Sequence, residues 1–193
     1  MLEQLIEFDQ QVFFAINKGL SNPFFDWIMP YLRERYFWAP LYLFLIVFLP
    51  RNYGKWGWMC LLFLVLTFGI CDFFSASIMK PAVERLRPCN DIELKSEINT
   101  RVTCGSGFSF PSTHATNHFG MAMFIAGTFY SKWKWIVPLA FLWAFSIAFA
   151  QVYVGVHFPV DVTTGALLGC LIGYITSSVF LTFKFEKQWR PGN

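Results

Sequence analysis

Long apolar runs, separated by short polar connections, dominate this chain. A bilayer core about 30 Å thick needs roughly 20 apolar residues per helical span. Five runs approach that length, the first being the shortest, and they cover about residues 36–49, 56–79, 113–130, 133–150 and 162–183. The pattern predicts an all-α polytopic transmembrane helical bundle with about five to six spans.

The first 35 residues follow another pattern. Apolar side chains recur there at near-helical spacing among acidic ones, which predicts an N-terminal amphipathic helix at the membrane interface. These apolar positions are Leu2, Leu5, Ile6, Phe13 and Ile16. Residues 24–32 suggest a second short helix after a turn at Asn22-Pro23. The acidic start has no small-residue cleavage site, so we expect no cleaved signal peptide. We interpret residues 1–193 as one membrane domain, with interfacial helices over 1–35.

Composition supports a membrane protein. The chain is 55% hydrophobic, 20% aromatic and only 14% charged, which is too apolar for a soluble globular domain. Its net charge of +3 is scattered and forms no continuous basic stripe, so a nucleic-acid partner is not expected. Several of the eight tryptophans lie near span ends and fit interfacial belts better than a ligand cage.

The distribution of basic residues predicts the orientation. If the five spans alternate in direction, residues 51–55, 131–134 and the tail from 184 share one side, and residues 80–112 and 151–161 share the other. The first side carries seven Lys or Arg against one acid, and the second carries five Lys or Arg. Cytoplasmic connections are enriched in Lys and Arg. We therefore expect a protein of the bacterial cytoplasmic (inner) membrane whose 80–112 loop faces the periplasm or the outside.

Two of the five cysteines, Cys89 and Cys104, lie in this loop. An oxidising compartment permits a disulfide that closes this 16-residue segment, and we favour it over two free thiols. Cys60, Cys71 and Cys170 lie within spans and are expected to be buried apolar side chains.

Three polar clusters lie at span ends that this count places on one side of the membrane. They are residues 80–88, 110–114 and 151–161. Ionisable side chains near apolar spans are costly and are usually retained for a site. In the first cluster, Lys80 and Arg87 offer a compact cation and a planar fork that together can neutralise a phosphate dianion. Either side chain alone could instead simply extend to the interface.

The second cluster predicts a helix start. Pro111 is followed by Ser112 and Thr113, either of which could cap the helix, ahead of an apolar run. Free backbone N–H groups at such a terminus bind phosphate. His114 in the first turn could then protonate a leaving oxygen. The alternative is a plain capping motif with an interfacial histidine.

In the third cluster, His157 and Asp161 are four residues apart and could meet on one face of a helix begun near Pro159. A carboxylate there would fix the imidazole tautomer and stabilise the imidazolium. A zinc site is the alternative, but metalloprotease-like histidine spacing is absent, and we expect no metal or cofactor. Asp72 and His118 are interpreted as structural, with Lys80 or Ser75 as partners for Asp72 and a packing role for His118.

Together, these clusters resemble the signature of the type 2 phosphatidic acid phosphatase superfamily. The resemblance extends over residues 80–161, about two fifths of the chain. The matching residues are Lys80, Arg87 and Pro88; then Pro111, Ser112 and His114; then Gly155, His157 and Asp161. The resemblance implies that His157 attacks phosphorus, Asp161 orients it, and His114 protonates the leaving group and then activates water. The implied phosphoryl-binding residues are Lys80, Arg87 and Ser112.

This sequence departs from the family pattern at two places. Thr113 stands where glycine is usual, and Ala150-Gln151 replaces Ser-Arg. The second change removes a cation from a site that works mainly by positioned charge. Gln151 can still donate a hydrogen bond, and Arg85 is a candidate substitute cation. We therefore count Thr113, Gln151 and Arg85 among the substrate-binding residues and expect activity, with an altered preference between mono- and diphosphates.

The resulting hypothesis is a metal-independent membrane phosphatase that removes a terminal phosphate from a lipid through a phosphohistidine. The family suggests undecaprenyl diphosphate, phosphatidylglycerol phosphate, phosphatidate or lipid A phosphates as substrates, and the sequence does not choose among them or set an oligomeric state. Two alternatives are a lipid phosphotransferase with the same intermediate and a catalytically weakened lipid-binding or transport protein.

Overall fold

The computed structural model describes residues 2–183, and these form helices joined by loops, with no strand. The helices are α1 (Leu2–Phe14), α2 (Pro23–Leu32), α3 (Ala39–Asp72), α4 (Lys80–Val83), α5 (Thr113–Phe129), α6 (Ile136–Tyr153) and α7 (Pro159–Thr182). Two π-helical turns, Ala15–Gly19 and Phe73–Met79, follow α1 and α3, and a 3-10 turn covers Pro88–Asn90. The all-α class is confirmed. The predicted cytoplasmic tail from residue 184 lies outside the described residues.

Three segments within residues 2–183 are long and apolar enough to cross a membrane: Ala39–Val83, Ile136–Tyr153 and Pro159–Thr182. The run predicted at 113–130 corresponds to α5, which has 17 residues and a largely buried surface. The bundle is therefore an integral membrane fold, and a total of five to six spans stays a prediction.

A sharp bend divides α3 into two arms at Gly54. This glycine has a φ of 55° and a ψ of −129°, a combination that side chains disfavour. The backbone then returns so closely that a Cβ added at Gly57 would lie 2.0 Å from the carbonyl oxygen of Leu49. The predicted runs 36–49 and 56–79 correspond to these two arms, the second continuing into the π-helical turn.

Small residues bring α5 and α7 together at the centre of the bundle. Gly165, Gly169 and Gly173 repeat every fourth residue along α7, a spacing that lets membrane helices approach closely. A Cβ at Gly169 would lie 2.2 Å from the carbonyl oxygen of Thr116 in α5. This contact fixes the starts of α5 and α7, which carry two of the three polar clusters, against each other.

The N-terminal helices contact the polar loops as well as presenting apolar side chains outward. Phe13 is fully buried against Ile98, Val152 and Phe158. The amide of Asn17, also fully buried, donates to the carbonyl oxygens of Asn99 and Tyr153 at 3.0 and 2.8 Å. The prediction of interfacial N-terminal helices did not include this packing. The reason is that the buried contacts join residues far apart in the chain.

The loop that precedes α5 is held by covalent and ionic links. The predicted Cys89–Cys104 disulfide is confirmed, with its Cα atoms 6.0 Å apart. Arg101 forms an ion pair with Asp26 at the start of α2, and its guanidinium also donates to the carbonyl oxygen of Tyr153 at 2.8 Å. These links tie the 80–112 loop to α2 and α6.

Candidate active site

The three polar clusters meet at one end of the bundle. The backbone N–H of Ser112 donates to the carbonyl oxygen of Asp161 at 2.9 Å, joining the second cluster to the third. The backbone N–H of Ser109 donates to the carbonyl oxygen of Arg85 at 2.8 Å, joining the loop to the first. The structure therefore places all three clusters on the same side, as the alternation of the spans predicts.

His157 and Asp161 form a buried pair at the start of α7. His157 is 1% exposed and Asp161 is fully buried. Oδ2 of Asp161 lies 3.4 Å from Nδ1 of His157 and accepts the backbone N–H of Phe158 at 2.9 Å. α7 begins at Pro159 as expected, and the predicted pairing is present, although His157 itself lies two residues before the helix. The pair meets because the aspartate turns back over the helix start.

Arg87 covers the other nitrogen of the His157 ring. Its Nη1 lies 3.2 Å from Nε2 of His157, and its Nε–H donates to the carbonyl oxygen of Gly107 at 2.9 Å. An arginine donates only, so Nε2 acts as acceptor and the proton lies on Nδ1, facing Asp161. This tautomer leaves a lone pair on Nε2. Lys80 donates to the carbonyl oxygen of Phe108 at the end of the same loop.

Burial sets the charge state of these groups. Desolvation lowers the pKa of His157 to about 4, more than its interactions with Asp161 raise it. The imidazole is therefore neutral, and nucleophilic, at neutral pH. Desolvation, and next the positive charge of Arg33, lower the pKa of Arg87. A guanidinium stays charged even so, and a phosphate dianion would relieve the repulsion between the two arginines.

Arg85 has a different place from the one predicted. Its Nη1 donates to Oδ1 of Asp161 at 2.8 Å and its Nη2 to Oδ2 of Asp9 at 2.7 Å. The guanidinium also stacks on the ring of Phe158, 4.0 Å from its centroid. With both terminal nitrogens committed to carboxylates, Arg85 orients Asp161. Its predicted role as a substitute phosphate-binding cation does not fit these contacts.

The start of α5 has the predicted capping geometry. Ser112 is the N-cap and its side chain accepts the backbone N–H of Ala115 at 3.4 Å. The hydroxyl oxygen of Thr113 is buried and has no hydrogen-bond partner within residues 2–183. His114 lies within electrostatic range of Arg33, Arg87 and His157. The helix terminus, its free hydroxyl and His114 therefore lie close to the buried pair.

A cavity of about 540 Å³ opens beside His114. One part of it lies between the two arms of α3 and one face of α5. The lining there is apolar and consists of Leu45, Ile46, Leu61, Leu64, Val65, Phe68, Met121 and Ile125. Polar side chains, including Arg33, Thr113 and His114, line the other part. The cavity thus joins an apolar compartment to the helix terminus that carries His114.

Gln151 and Arg33 form a contact that no local sequence pattern predicts. Gln151 is fully buried in α6, and its Oε1 accepts Nε–H of Arg33 at 3.3 Å. Arg33 directly follows α2 and was not among the predicted site residues. The signal that could have found it is weak: a basic residue at the end of a short amphipathic helix, 118 residues from Gln151.

Two further polar residues have structural partners. The Asp72 carboxylate accepts a hydrogen bond from Asn117, whose Nδ2 lies 3.2 Å from Oδ1 of Asp72. Lys80 and Ser75 were predicted as its partners, and both predictions are wrong. The hydroxyl of Ser75 donates to the backbone carbonyl of Asp72 and not to its side chain. Nδ1 of His118 lies 2.7 Å from the carbonyl oxygen of His114, which agrees with a packing role. Within residues 2–183, no three His, Cys, Asp or Glu side chains gather to hold a metal ion.

A family model for the PAP2 superfamily matches residues 57–185, two thirds of the chain and all three clusters. The chain belongs to the PAP2 superfamily. It is 33% identical over 180 residues to a lipid A 4'-phosphatase of Bacteroides thetaiotaomicron, covering 91% of this chain and 78% of that protein. It is 30% identical over 188 residues to an undecaprenyl-diphosphatase of Sulfolobus acidocaldarius, covering 96% of this chain and 84% of that one.

The fold also matches a solved structure. A crystal structure of a transmembrane PAP2-type phosphatidylglycerolphosphate phosphatase from Bacillus subtilis aligns with a TM-score of 0.68 at 26% identity. The alignment covers 92% of this PAP2 chain and 89% of the solved one. The family and the enzyme class predicted from the three clusters are confirmed: the protein is an integral membrane phosphatase.

Proposed function

We propose that this membrane lipid phosphatase of the PAP2 superfamily cleaves a terminal phosphate from its lipid through a phosphohistidine on His157. One observation carries the proposal. The neutral His157 ring is held between Asp161 on Nδ1 and Arg87 on Nε2, close to a second histidine that lines an apolar cavity. A nucleophile, an orienting carboxylate, a cation and a proton donor therefore surround one small volume.

In the first step, the Nε2 lone pair of His157 forms a bond to phosphorus as the bond between phosphorus and the lipid oxygen breaks. Protonated His114 gives its proton to that oxygen; a bound phosphate dianion favours this protonated form. Asp161 stabilises the phosphorylated imidazole through its Nδ1–H. In the second step, neutral His114 takes a proton from water, which attacks phosphorus and frees His157.

The phosphoryl oxygens are held by groups that already point together. Arg87, released from Nε2, offers a guanidinium, Lys80 offers an ammonium, and the α5 terminus carries Ser112 and Thr113 beside its free N–H groups. Such positioned donors supply most of the stabilisation in phosphoryl transfer. The route uses no metal ion. The lipid chain lies in the apolar part of the cavity, and the site faces the outer side of a bacterial cytoplasmic membrane.

The test is phosphate release by detergent-purified protein in excess chelator. The substrates are lipid A 4'-phosphate, undecaprenyl diphosphate and phosphatidylglycerol phosphate, chosen from the names of the relatives. We expect release from at least one lipid and none from His157→Ala. With a ³²P-labelled substrate and a rapid quench, the wild type should carry acid-labile, alkali-stable label on the protein, and His157→Ala should carry none.

Four results would contradict the proposal. Release that chelator abolishes would point to a metal, and release that requires an added acceptor would point to a phosphotransferase. Lipid binding without any turnover would point to a binding protein. A stable label in the His157→Ala variant would place the nucleophile elsewhere.

A further inference from the structure

Position 151 carries an unusual substitution whose consequences can be followed in space. The family motif has arginine here, and this chain has glutamine. The Gln151 side chain is fully buried, and its Nε2 has no hydrogen-bond partner within residues 2–183. Buried donors are rarely left unpaired. A bound ligand that accepts a hydrogen bond would satisfy this one.

The other end of the same amide holds an arginine from elsewhere in the chain. Oε1 of Gln151 accepts Nε–H of Arg33 at 3.3 Å. Among the described residues, Nη1 and Nη2 of Arg33 have neither a hydrogen-bond nor an ion-pair partner. The guanidinium is therefore fixed by one nitrogen and presents the other two, the pair that binds a phosphoryl group in a bidentate manner.

The surroundings of Arg33 are those of the proposed reaction. Arg33 and His114 line the same cavity, and Arg33 interacts electrostatically with both His114 and Arg87. Partial burial lowers the pKa of Arg33, but arginine remains protonated. An unpaired guanidinium beside Arg87 is costly, and an anion bound between the two would remove that cost.

We propose that Arg33 supplies the phosphate-binding cation that position 151 lacks, with Gln151 holding the Arg33 guanidinium in place. This inference rests on the proposed phosphohistidine mechanism and adds a substrate-binding residue to it. The family motif places this cation in α6, whereas here it lies at the end of α2 and is held by the Gln151 side chain. The phosphoryl group gains two donors from Arg33 and one from Nε2 of Gln151.

Two other arginines lie nearby and do not fit this role. Arg85 has both terminal nitrogens on carboxylates. Arg35 lines the cavity as Arg33 does, but its guanidinium lies over the ring of Tyr36, 5.1 Å from the centroid, and it makes no hydrogen bond to Gln151. Arg35 is therefore a matched control of the same charge, from the same segment of chain.

The experiment compares Arg33→Ala, Arg33→Lys and Arg35→Ala in phosphate release. Loss of one positioned donor to a phosphoryl group typically costs a factor of 10²–10³, so we expect kcat/KM to fall about 100-fold in Arg33→Ala. Arg33→Lys should recover part of this, because lysine restores the charge but not the fork. Arg35→Ala removes the same charge from the same cavity but no contact with Gln151, so its kcat/KM should fall much less than that of Arg33→Ala.

Restoring the family arginine gives the decisive comparison. In the double variant Arg33→Ala/Gln151→Arg, kcat/KM should rise at least about tenfold over Arg33→Ala, because the cation returns to the same phosphoryl group. We also expect Arg33→Ala to raise the inhibition constant of inorganic phosphate and Arg35→Ala to leave it unchanged. That second measurement decides the matter if the double variant does not fold.

The proposal is overturned if Arg33→Ala and Arg35→Ala have equal activity and equal inhibition by inorganic phosphate. It is also overturned if a folded double variant is no more active than Arg33→Ala. Failure of the phosphohistidine mechanism has a different signature, since His157→Ala would then keep activity. Direct binding of inorganic phosphate to wild type and Arg33→Ala tests the Arg33 site in that case.

Discussion

Asp9, in the N-terminal helix, supports the active site from a distance. It is 6% exposed. Its Oδ2 pairs with Nη2 of Arg85 at 2.7 Å, and its Oδ1 accepts the backbone N–H of Val160 at 2.8 Å. Arg85 in turn holds Asp161, which orients His157. The two oxygens of Asp9 therefore fix both the arginine and the backbone at the start of α7.

We expect Asp9→Ala to lower both stability and activity. A hydrogen bond to a charged group contributes about 1.5–3 kcal/mol, and the variant loses two. The Arg85 side chain is 23% exposed, and water therefore weakens its ion pair with Asp9. We accordingly expect the free energy of unfolding to fall by about 3 kcal/mol. For a domain of this size, that corresponds to a Tm lower by roughly 6–12 °C.

The effect on activity should appear in kcat. Without Asp9, Arg85 is held at one end only, and Asp161 loses its fixed position against His157. We expect kcat to fall roughly tenfold from this misplacement, with KM little changed because Asp9 does not contact the substrate. Asp9→Asn keeps an acceptor for the Val160 N–H and should show a smaller loss of Tm.

The measurement is thermal unfolding in detergent together with steady-state phosphate release. Glu7→Ala is the control, since Glu7 is an exposed acid on the same helix and should change neither quantity. An Asp9→Ala variant with the Tm and kcat of Glu7→Ala would refute the support role. A loss confined to KM would place Asp9 in substrate binding instead.

Three further outcomes are expected. Gly169→Ala puts a Cβ 2.2 Å from a backbone oxygen of α5, so the Tm of this variant should fall by several degrees or the protein should fail to fold. Gly69→Ala is the control, because open space surrounds Gly69 and its Tm should stay that of the wild type. Equal Tm values for the two variants would contradict the close packing of α5 and α7. The disulfide closes a 16-residue segment and should contribute about 3 kcal/mol to the free energy of unfolding. Reductant should therefore lower the Tm of the wild type and leave the Tm of Cys89→Ser/Cys104→Ser unchanged. Because burial lowers the pKa of His157 from 6.5 to about 4, its contribution to stability is complete above pH 6.5 and is lost as pH falls toward 4. The Tm of wild type should consequently drop more over that range than the Tm of His157→Ala, and parallel curves would contradict a buried neutral imidazole.

The sequence by itself was sufficient for the enzyme class and for bringing the three polar clusters to one end of the bundle. Apolar runs must be helical in a membrane because their backbone groups have no other partners there. Counting those runs brings Lys80, Ser112 and His157 to one end. The spacing of His157 and Asp161 likewise predicted their pairing, because a separation of four residues limits where the two side chains can be.

The sequence was less informative about the partners of each arginine. Arg85 was a reasonable substitute cation from its position two residues before Arg87. The structure shows it bound to Asp9 and Asp161, and Asp9 is 76 residues away. Nothing in local pattern marks such a pair, because an ion pair depends on where two elements dock and not on the periodicity of either.

The tertiary structure alone decided the placement of α1 and α2, and with it the place of Arg33 beside Gln151. The amphipathic pattern of these helices is satisfied equally well by a lipid interface or by the side of a bundle, because both bury apolar atoms at similar gain. The hydrogen bonds that Asn17 donates and Asp9 accepts favour the side of the bundle. These hydrogen bonds exist only once the loops have folded. The sequence therefore determined the helices and the enzyme class, and the docking of the helices determined which side chains lie together at this end of the bundle.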